Sequence, residues 1–247
     1  GAEMLTALKS MVSDMKSDDS ENIYGRLVVE CSGIREEDWA NNWKQYFKPF
    51  CIGKKLLIKP SWENCENPEN RTVLEIDPAS SFGTGQHHTT RLCLELLEKS
   101  LCSGDKILDL GCGSGILSIG AMLLGAESAV AVDIEENAVQ TAIENAEKNH
   151  INSEKYTAYC GNIISDKELS EKIEGSYDII TANIVADVLI AMKDFFARYL
   201  RKNGTLIISG IIEERMHEVT DAVESAGFSS QEYNIREGWA AVRLIKN

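Results

Sequence analysis

Several short stretches of this 247-residue sequence hold residue types whose spacing suits chemistry at a bound ligand. Asp109-Leu110-Gly111-Cys112-Gly113-Ser114-Gly115 sets three glycines at alternate positions between a strand-like apolar run and a helix-like one. Such a turn bends the main chain tightly and leaves no side chain between ligand and backbone. The helix after it points free N–H groups at the same spot. A tight strand-to-helix turn with no ligand would carry the same glycines.

Other residues fall at matching places. A dinucleotide fingerprint needs Gly-x-Gly-x-x-Gly, and here Ile116 stands where the third glycine would be. Asp109, two residues before the first glycine, suits a ligand with a positive centre, and S-adenosylmethionine carries a sulfonium and an ammonium but no pyrophosphate. Asp133 closes the next strand, where an acid can accept from both ribose hydroxyls; a helix N-cap is the alternative. Asn162 follows the third strand, where its amide could meet the adenine edge; a turn residue is the alternative. Asn183 ends the fourth strand. Its side-chain carbonyl could take a hydrogen bond from an incoming amine and aim the lone pair at a methyl carbon, in a reaction where positioning supplies much of the rate. An ordinary loop asparagine is the alternative.

The elements that must position these residues alternate. Helices are expected over 87–101, 114–124, 135–149, 165–173, 187–200 and 213–226, and strands over 106–110, 128–133, 156–160, 177–182 and 205–209. Two last strands, 228–235 and 239–245, have only Arg236-Glu237-Gly238 between them and must form a hairpin. The fold class is therefore α/β: a Rossmann-like, doubly wound, seven-stranded sheet with an antiparallel C-terminal edge strand, ligands binding at the carboxyl ends of the parallel strands. Ahead of it, residues 4–15 read as a helix, 26–31 as a strand and 72–77 as another. This organisation gives a partial small α+β domain over 1–38, a linker over 39–71 and a main domain over 72–247.

Composition narrows the class. Asp and Glu total 39 against 25 Lys and Arg, a net charge of −14, which argues against a surface that grips nucleic acid throughout. Residues 39–60 hold Lys44, Lys48, Lys54, Lys55 and Lys59 and no acid, so this strip is +5 and the remainder −19. Trp39, Trp43, Tyr46, Phe47 and Phe50 interleave with the lysines, which reads as a docking strip or as a solvated face. No apolar run is long enough for a membrane span and no secretory signal is visible. Seven cysteines with no Cys-x-x-Cys pair fit reduced thiols in a cytoplasm, with neither a disulfide framework nor a metal site.

These residues resemble the class I S-adenosylmethionine-dependent methyltransferases, and an upstream string narrows the resemblance. Asp77-Pro-Ala-Ser-Ser-Phe-Gly-Thr-Gly-Gln-His-His-Thr-Thr90 is similar to the bacterial family that methylates large-subunit ribosomal protein eleven (PrmA). Trp43, Pro49, Ile58-Lys-Pro-Ser-Trp62, Ala182-Asn-Ile184, Ser209-Gly-Ile211 and Glu237-Gly-Trp239 extend it over about residues 39–247. The resemblance implies S-adenosylmethionine as cofactor, with Thr90, Gly111, Asp133 and Asn183 contacting it beside Asp109, Gly113, Gly115 and Asn162. It implies that the loop containing Phe82 and Thr84 closes over cofactor and amine, so these two join Asn183 as catalytic residues. It implies methyl transfer to the α-amine and lysine amines of a ribosomal protein, with the 39–60 strip touching the ribosome peripherally. His87 and His88 read as packing residues at a helix start, or as proton acceptors. Family members carry a complete recognition domain ahead of the linker, and 38 residues supply only part of one. Methylation of RNA or a small molecule, or cofactor binding without turnover by a ribosome-assembly factor, are the competing readings.

Overall fold

The apolar runs of the second half of the chain become strands buried on both faces. The structure, a computed structural model, describes residues 2–19, 23–25, 47–77, 85–173 and 175–247, with side chains from residue 8 onward. The chain divides into two compact units, Gly1–Tyr46 and Phe47–Asn247. The first contains helix α1 (Ala2–Asp18), which exposes Leu8, Met11 and Met15. The strand expected at 26–31 lies outside the described residues.

In the second unit, β4 (Lys106–Leu110), β5 (Ser128–Asp133), β6 (Tyr156–Cys160), β7 (Tyr177–Asn183), β8 (Leu200–Ile212), β9 (Phe228–Arg236) and β10 (Trp239–Lys246) form one sheet in the order β6-β5-β4-β7-β8-β10-β9. Strands β4 to β8 pair in parallel. Successive side chains alternate between two cores. Ile107, Ile179, Ile207 and Ala241 face one; Leu108, Ile180, Ile208 and Val242 face the other. The first core is covered by α2 (His88–Ser100), α3 (Ile116–Leu123) and α4 (Glu136–Lys148). The second is covered by α5 (Lys167–Lys172), α6 (Ala186–Ala191), α7 (Lys193–Tyr199) and α8 (Met216–Glu224). Each fully buried Ile or Leu in these layers contributes about 1.5–3 kcal/mol.

Three details differ from the sequence reading. The hairpin folds so that β10 inserts between β8 and β9, antiparallel to both. The antiparallel strand is thus one place in from the margin, and β9 takes the edge. Strand β8 begins at Leu200, but its register on β7 jumps from Tyr177↔Leu200 to Ile179↔Thr205, so residues 201–204 loop out at the expected Asn-Gly turn. The helix expected over 187–200 is divided at Met192 (φ −91, ψ 0).

Residues 47–71, read as linker, carry β1 (Phe50–Ile52) and β2 (Leu56–Lys59), which join β3 (Thr72–Glu75) in a small sheet. Its Ile52, Leu56, Ile58 and Leu74 pack into the α2–α3 core. Strand order reverses between β4 and β7, and the crevice at such a switch point is where open α/β sheets bind ligands. The glycine turn follows β4 and Asn183 ends β7, so both lie there. Among the described residues no helix is long and apolar enough to cross a membrane, and no group of His, Cys, Asp and Glu could hold a metal.

Candidate active site

The glycine turn leans on the end of β5. Gly111 and Cys112 N–H both donate to the Val132 carbonyl, at 2.8 and 3.1 Å. Gly111, Gly113 and Gly115 have φ of 72, 53 and 78, the left-handed region that disfavours a side chain. Space matters as much. A Cβ on Gly111 would lie 2.3 Å from Ile184 Cγ2, so the turn can pass under the loop after β7 only as glycine. Gly111 is exposed and Gly113 half-buried, which leaves their main chain open to a ligand. Gly115 is buried; a Cβ there would meet the Tyr156 hydroxyl at 2.8 Å and Ala142 at 3.0 Å. Its place is to start α3 as N-cap against these neighbours rather than to meet a ligand directly.

Asp133 serves this turn from β5. Its Oδ2 accepts from Gly113 N–H at 2.9 Å and its Oδ1 from Glu135 N–H at 3.0 Å. The N-cap of α4 is Glu135, so Asp133 does not take the capping place. The carboxylate is half-buried, and each oxygen keeps lone-pair capacity for a hydroxyl donor. It thereby fixes the glycine turn.

Asp109 corrects the sequence reading. It has no exposed surface. Its Oδ1 accepts from Thr181 Oγ1 at 2.8 Å and its Oδ2 from Ser118 N–H at 3.1 Å. It therefore ties β4 to β7 and to the first turn of α3 instead of facing a ligand cation. Burial pushes its pKa up to about 6, against the hydrogen bonds from Thr181 and Ser118. Asn162 also reads chiefly as a turn residue. Its Oδ1 accepts from Ile164 N–H at 3.0 Å, and its side chain is exposed with the Nδ2 side turned to no described partner.

Asn183 meets α2. Its Nδ2 donates to Thr90 Oγ1 at 3.3 Å, and Thr90 is buried in the first turn of that helix. Among the described residues Asn183 Oδ1 takes no hydrogen bond, so the anchored amide presents an acceptor at the switch point. The start of α2 is fixed by His87, whose Nδ1 lies 2.8 Å from Thr89 Oγ1 and caps Thr89 N–H. Its ring stands edge-on to Trp239 at 4.9 Å. Burial, with the neighbouring His88, holds the His87 pKa below its ordinary value. These contacts give His87 the packing role. His88 Nδ1 is buried and takes no hydrogen bond among the described residues.

Phe82 and Thr84 lie outside the described residues. The chain is fixed on both sides of that segment. Gly85 (φ 77) is buried where a Cβ would come within 2.8 Å of Ile116 Cδ1 and 3.3 Å of the Phe50 ring. Asp77 accepts from Ser61 N–H, Ser61 Oγ and Lys148 Nζ at 2.8, 2.6 and 2.7 Å. Burial opposes ionisation of Asp77, but the Lys148 and Ser61 contacts outweigh it and lower its pKa.

Sequence reasoning missed Ser118 and Asn145, and it included Thr181 and Ile184 without giving either its role. Polar residues inside apolar runs were the available signal: Thr181 within β7, and Asn145 beside Ala142 and Ala146 on the buried face of α4. The basic strip is smaller than its formal charge. Lys48 pairs with Glu63 and Lys59 with Glu75, each at 2.6 Å. Lys54 and Lys55 stay exposed, their backbone N–H groups held by Glu98; Lys44 lies outside the described residues.

The sequence model of the family described as ribosomal protein L11 methyltransferase (PrmA) matches residues 3–247. The ribosomal protein L11 methyltransferase of Clostridium botulinum (strain Eklund 17B / Type B) is 40% identical over 218 residues, 88% of this chain and 67% of its own length. That of Agathobacter rectalis is 40% identical over 251 aligned residues, 99% of this chain and 76% of its own. Among solved structures, a ribosomal protein L11 methylase from Lactobacillus delbrueckii subsp. bulgaricus superimposes with a TM-score of 0.73 at 27% identity, covering 82% of this chain and 99% of the other.

Proposed function

The chain belongs to the ribosomal protein L11 methyltransferase family, and we propose that it transfers methyl groups from S-adenosylmethionine to the α-amine and lysine amines of ribosomal protein L11. The observation that carries this reading is the Thr90-anchored amide of Asn183 beside an open glycine turn at the switch point. The donor set suits the cofactor: exposed main chain at Gly111, an acid at Asp133 with spare acceptor capacity, and no glycine at 116 for a pyrophosphate. S-adenosylmethionine, when bound, supplies an electrophilic methyl group on a positive sulfur.

This chain's residues then hold and aim the amine. Asn183 Oδ1 accepts one amine N–H, which directs the nitrogen lone pair away from the amide and limits the approach to one line. The nitrogen must be neutral to attack. An α-amine titrates near ~8 and is partly neutral already, while a lysine near ~10.4 is helped by desolvation in the crevice. Water takes the proton; His87 Nδ1 is occupied as the cap of α2. Exposed Glu213 and Glu214 follow β8 and exposed Glu237 lies in the turn between β9 and β10, at the same edge of the sheet, a field that attracts a lysine-bearing protein. The unit Gly1–Tyr46 contains the part of the chain read as recognition domain, and exposed Lys54 and Lys55 supply the ribosome-facing charge. The thiols of Cys51, Cys65, Cys93, Cys102, Cys112 and Cys160 are free, consistent with a cytoplasmic setting. Acceptors such as RNA or a small molecule, and a role without turnover, are not favoured by the relatives.

The test incubates the chain with isotopically labelled S-adenosylmethionine and purified L11, and reads both by mass spectrometry. Labelled methyl groups on the L11 N-terminus and lysines support the proposal. Cofactor binding with no label on L11 contradicts it.

A further inference from the structure

Helix α4 carries two asparagines one turn apart, one acting on the backbone at the end of β3 and the other two residues beyond it. Asn149 Oδ1 accepts from Glu75 N–H at 2.9 Å and its Nδ2 donates to Glu75 C=O at 2.7 Å. Asn145 Oδ1 accepts from Asp77 N–H at 3.0 Å and its Nδ2 donates to Asp77 C=O at 3.2 Å. The spacing explains the fit: four helical residues rise about 6 Å and two strand residues about 6.7 Å. The two amides thus stand in for a neighbouring strand on the free edge of the small sheet, whose order is β1-β2-β3.

Asn145 does one thing Asn149 does not. Its Nδ2 also donates to the Ser114 carbonyl, at 2.9 Å, inside the glycine turn. Asn145 has no exposed surface, and Ser114 is equally buried. One buried amide therefore joins two segments that the rest of the fold supports separately: the cofactor turn after β4, and Asp77 at the end of the β3 segment. We infer that Asn145 is a positioning residue that sets the glycine turn in register with Asp77. A side chain at 145 lacking the amide removes this hydrogen bond to the Ser114 carbonyl, and the turn loses a fixed point that the ligand would otherwise find already made. The affinity arm of the test rests on the S-adenosylmethionine reading; the exchange arm does not.

Asn145→Ala and Asn149→Ala are compared in the full chain. Both lose strand-edge bonds, so both lower the melting temperature. Hydrogen exchange without ligand is read in peptides covering 111–118, and S-adenosylhomocysteine affinity by calorimetry. Asn145→Ala should speed exchange of that turn and weaken the ligand, each by about tenfold, the scale of one buried hydrogen bond lost. Asn149→Ala should leave both readings close to wild type. Equal effects in the two variants, or none in either, overturn the inference. Asn145→Ser repeats the comparison with a smaller disturbance; collapse of both Asn145 variants to unfolded chains also overturns it, because a general folding role then replaces positioning. A wild-type chain that binds no S-adenosylhomocysteine counts against the proposed function, while the exchange comparison still decides this point.

Discussion

The Nδ2 of Asn183 donates to Thr90 Oγ1 at 3.3 Å, which fixes the amide so that Oδ1 is the atom presented at the switch point. Thr90 reaches it from the start of α2, where His87 caps the helix. Thr90→Val keeps the shape and removes the acceptor. Asn183 can then turn its NH2 outward. Turnover should fall about tenfold to a hundredfold, the scale of a small misplacement at a reacting centre, with a smaller change in the KM for S-adenosylmethionine. Steady-state kinetics on both substrates check this; a loss confined to KM would contradict it.

Gly111 and Ile184 are coupled by space. Gly111→Ala forces a Cβ toward Ile184 Cγ2, 2.3 Å away, at a φ of 72. The backbone contributes about 1–2 kcal/mol of that destabilisation and the clash about 1–3 kcal/mol. Adding Ile184→Ala should relieve the clash and not the backbone strain. A double-mutant cycle in urea should show favourable coupling between the two changes. Strict additivity would mean that Ile184 is not what forbids a side chain at 111.

Asp109 sets a pH dependence of unusual sign. Its folded pKa, about 6, lies above the ordinary 3.8, so between these values the folded chain binds the proton more tightly than the unfolded chain. By linkage this contribution is fully present below about pH 4 and is lost as pH rises through about 6. The difference corresponds to about 3 kcal/mol. Asp109→Asn removes the titration. Thermal scans from acid to neutral pH should show wild type losing stability relative to the variant as pH rises; parallel profiles would contradict the assignment.

Lys54 and Lys55 are the exposed, unpaired-by-acid lysines of the described strip, whereas Lys48 and Lys59 already hold Glu63 and Glu75. Charge reversal of Lys54 and Lys55 together should weaken association with large ribosomal subunits, and the effect should shrink as salt screens it. Reversal of Lys59 should instead lower stability, because it places like charges together on β2 and β3. Co-sedimentation at two salt concentrations and a melting curve separate these outcomes.

Much of the sheet was legible because central parallel strands buried on both faces read as largely apolar runs, as those at 106–110 and 177–182 do. The insertion of β10 between β8 and β9 was not, because a short turn fixes which strands are neighbours and leaves open which of them pairs with the rest of the sheet. At the site, Asp133 and Asn183 could be placed from strand ends alone. Asp109 could not: residue type and position are the same for a carboxylate that meets a ligand and for one that holds β4 to β7, and only its burial against Ser118 and Thr181 separates them. Asn145 was hidden for a related reason, since one amide on an Ala-lined helix face shows a pattern break without naming its partners.

The most direct measurement is single-turnover methyl transfer to L11 by Asn183→Ala, set beside its affinity for S-adenosylhomocysteine. If Asn183 aims the amine, the rate of transfer falls by about a hundredfold or more while affinity changes far less. Parallel losses in rate and affinity would make Asn183 a cofactor-binding residue only and contradict the account.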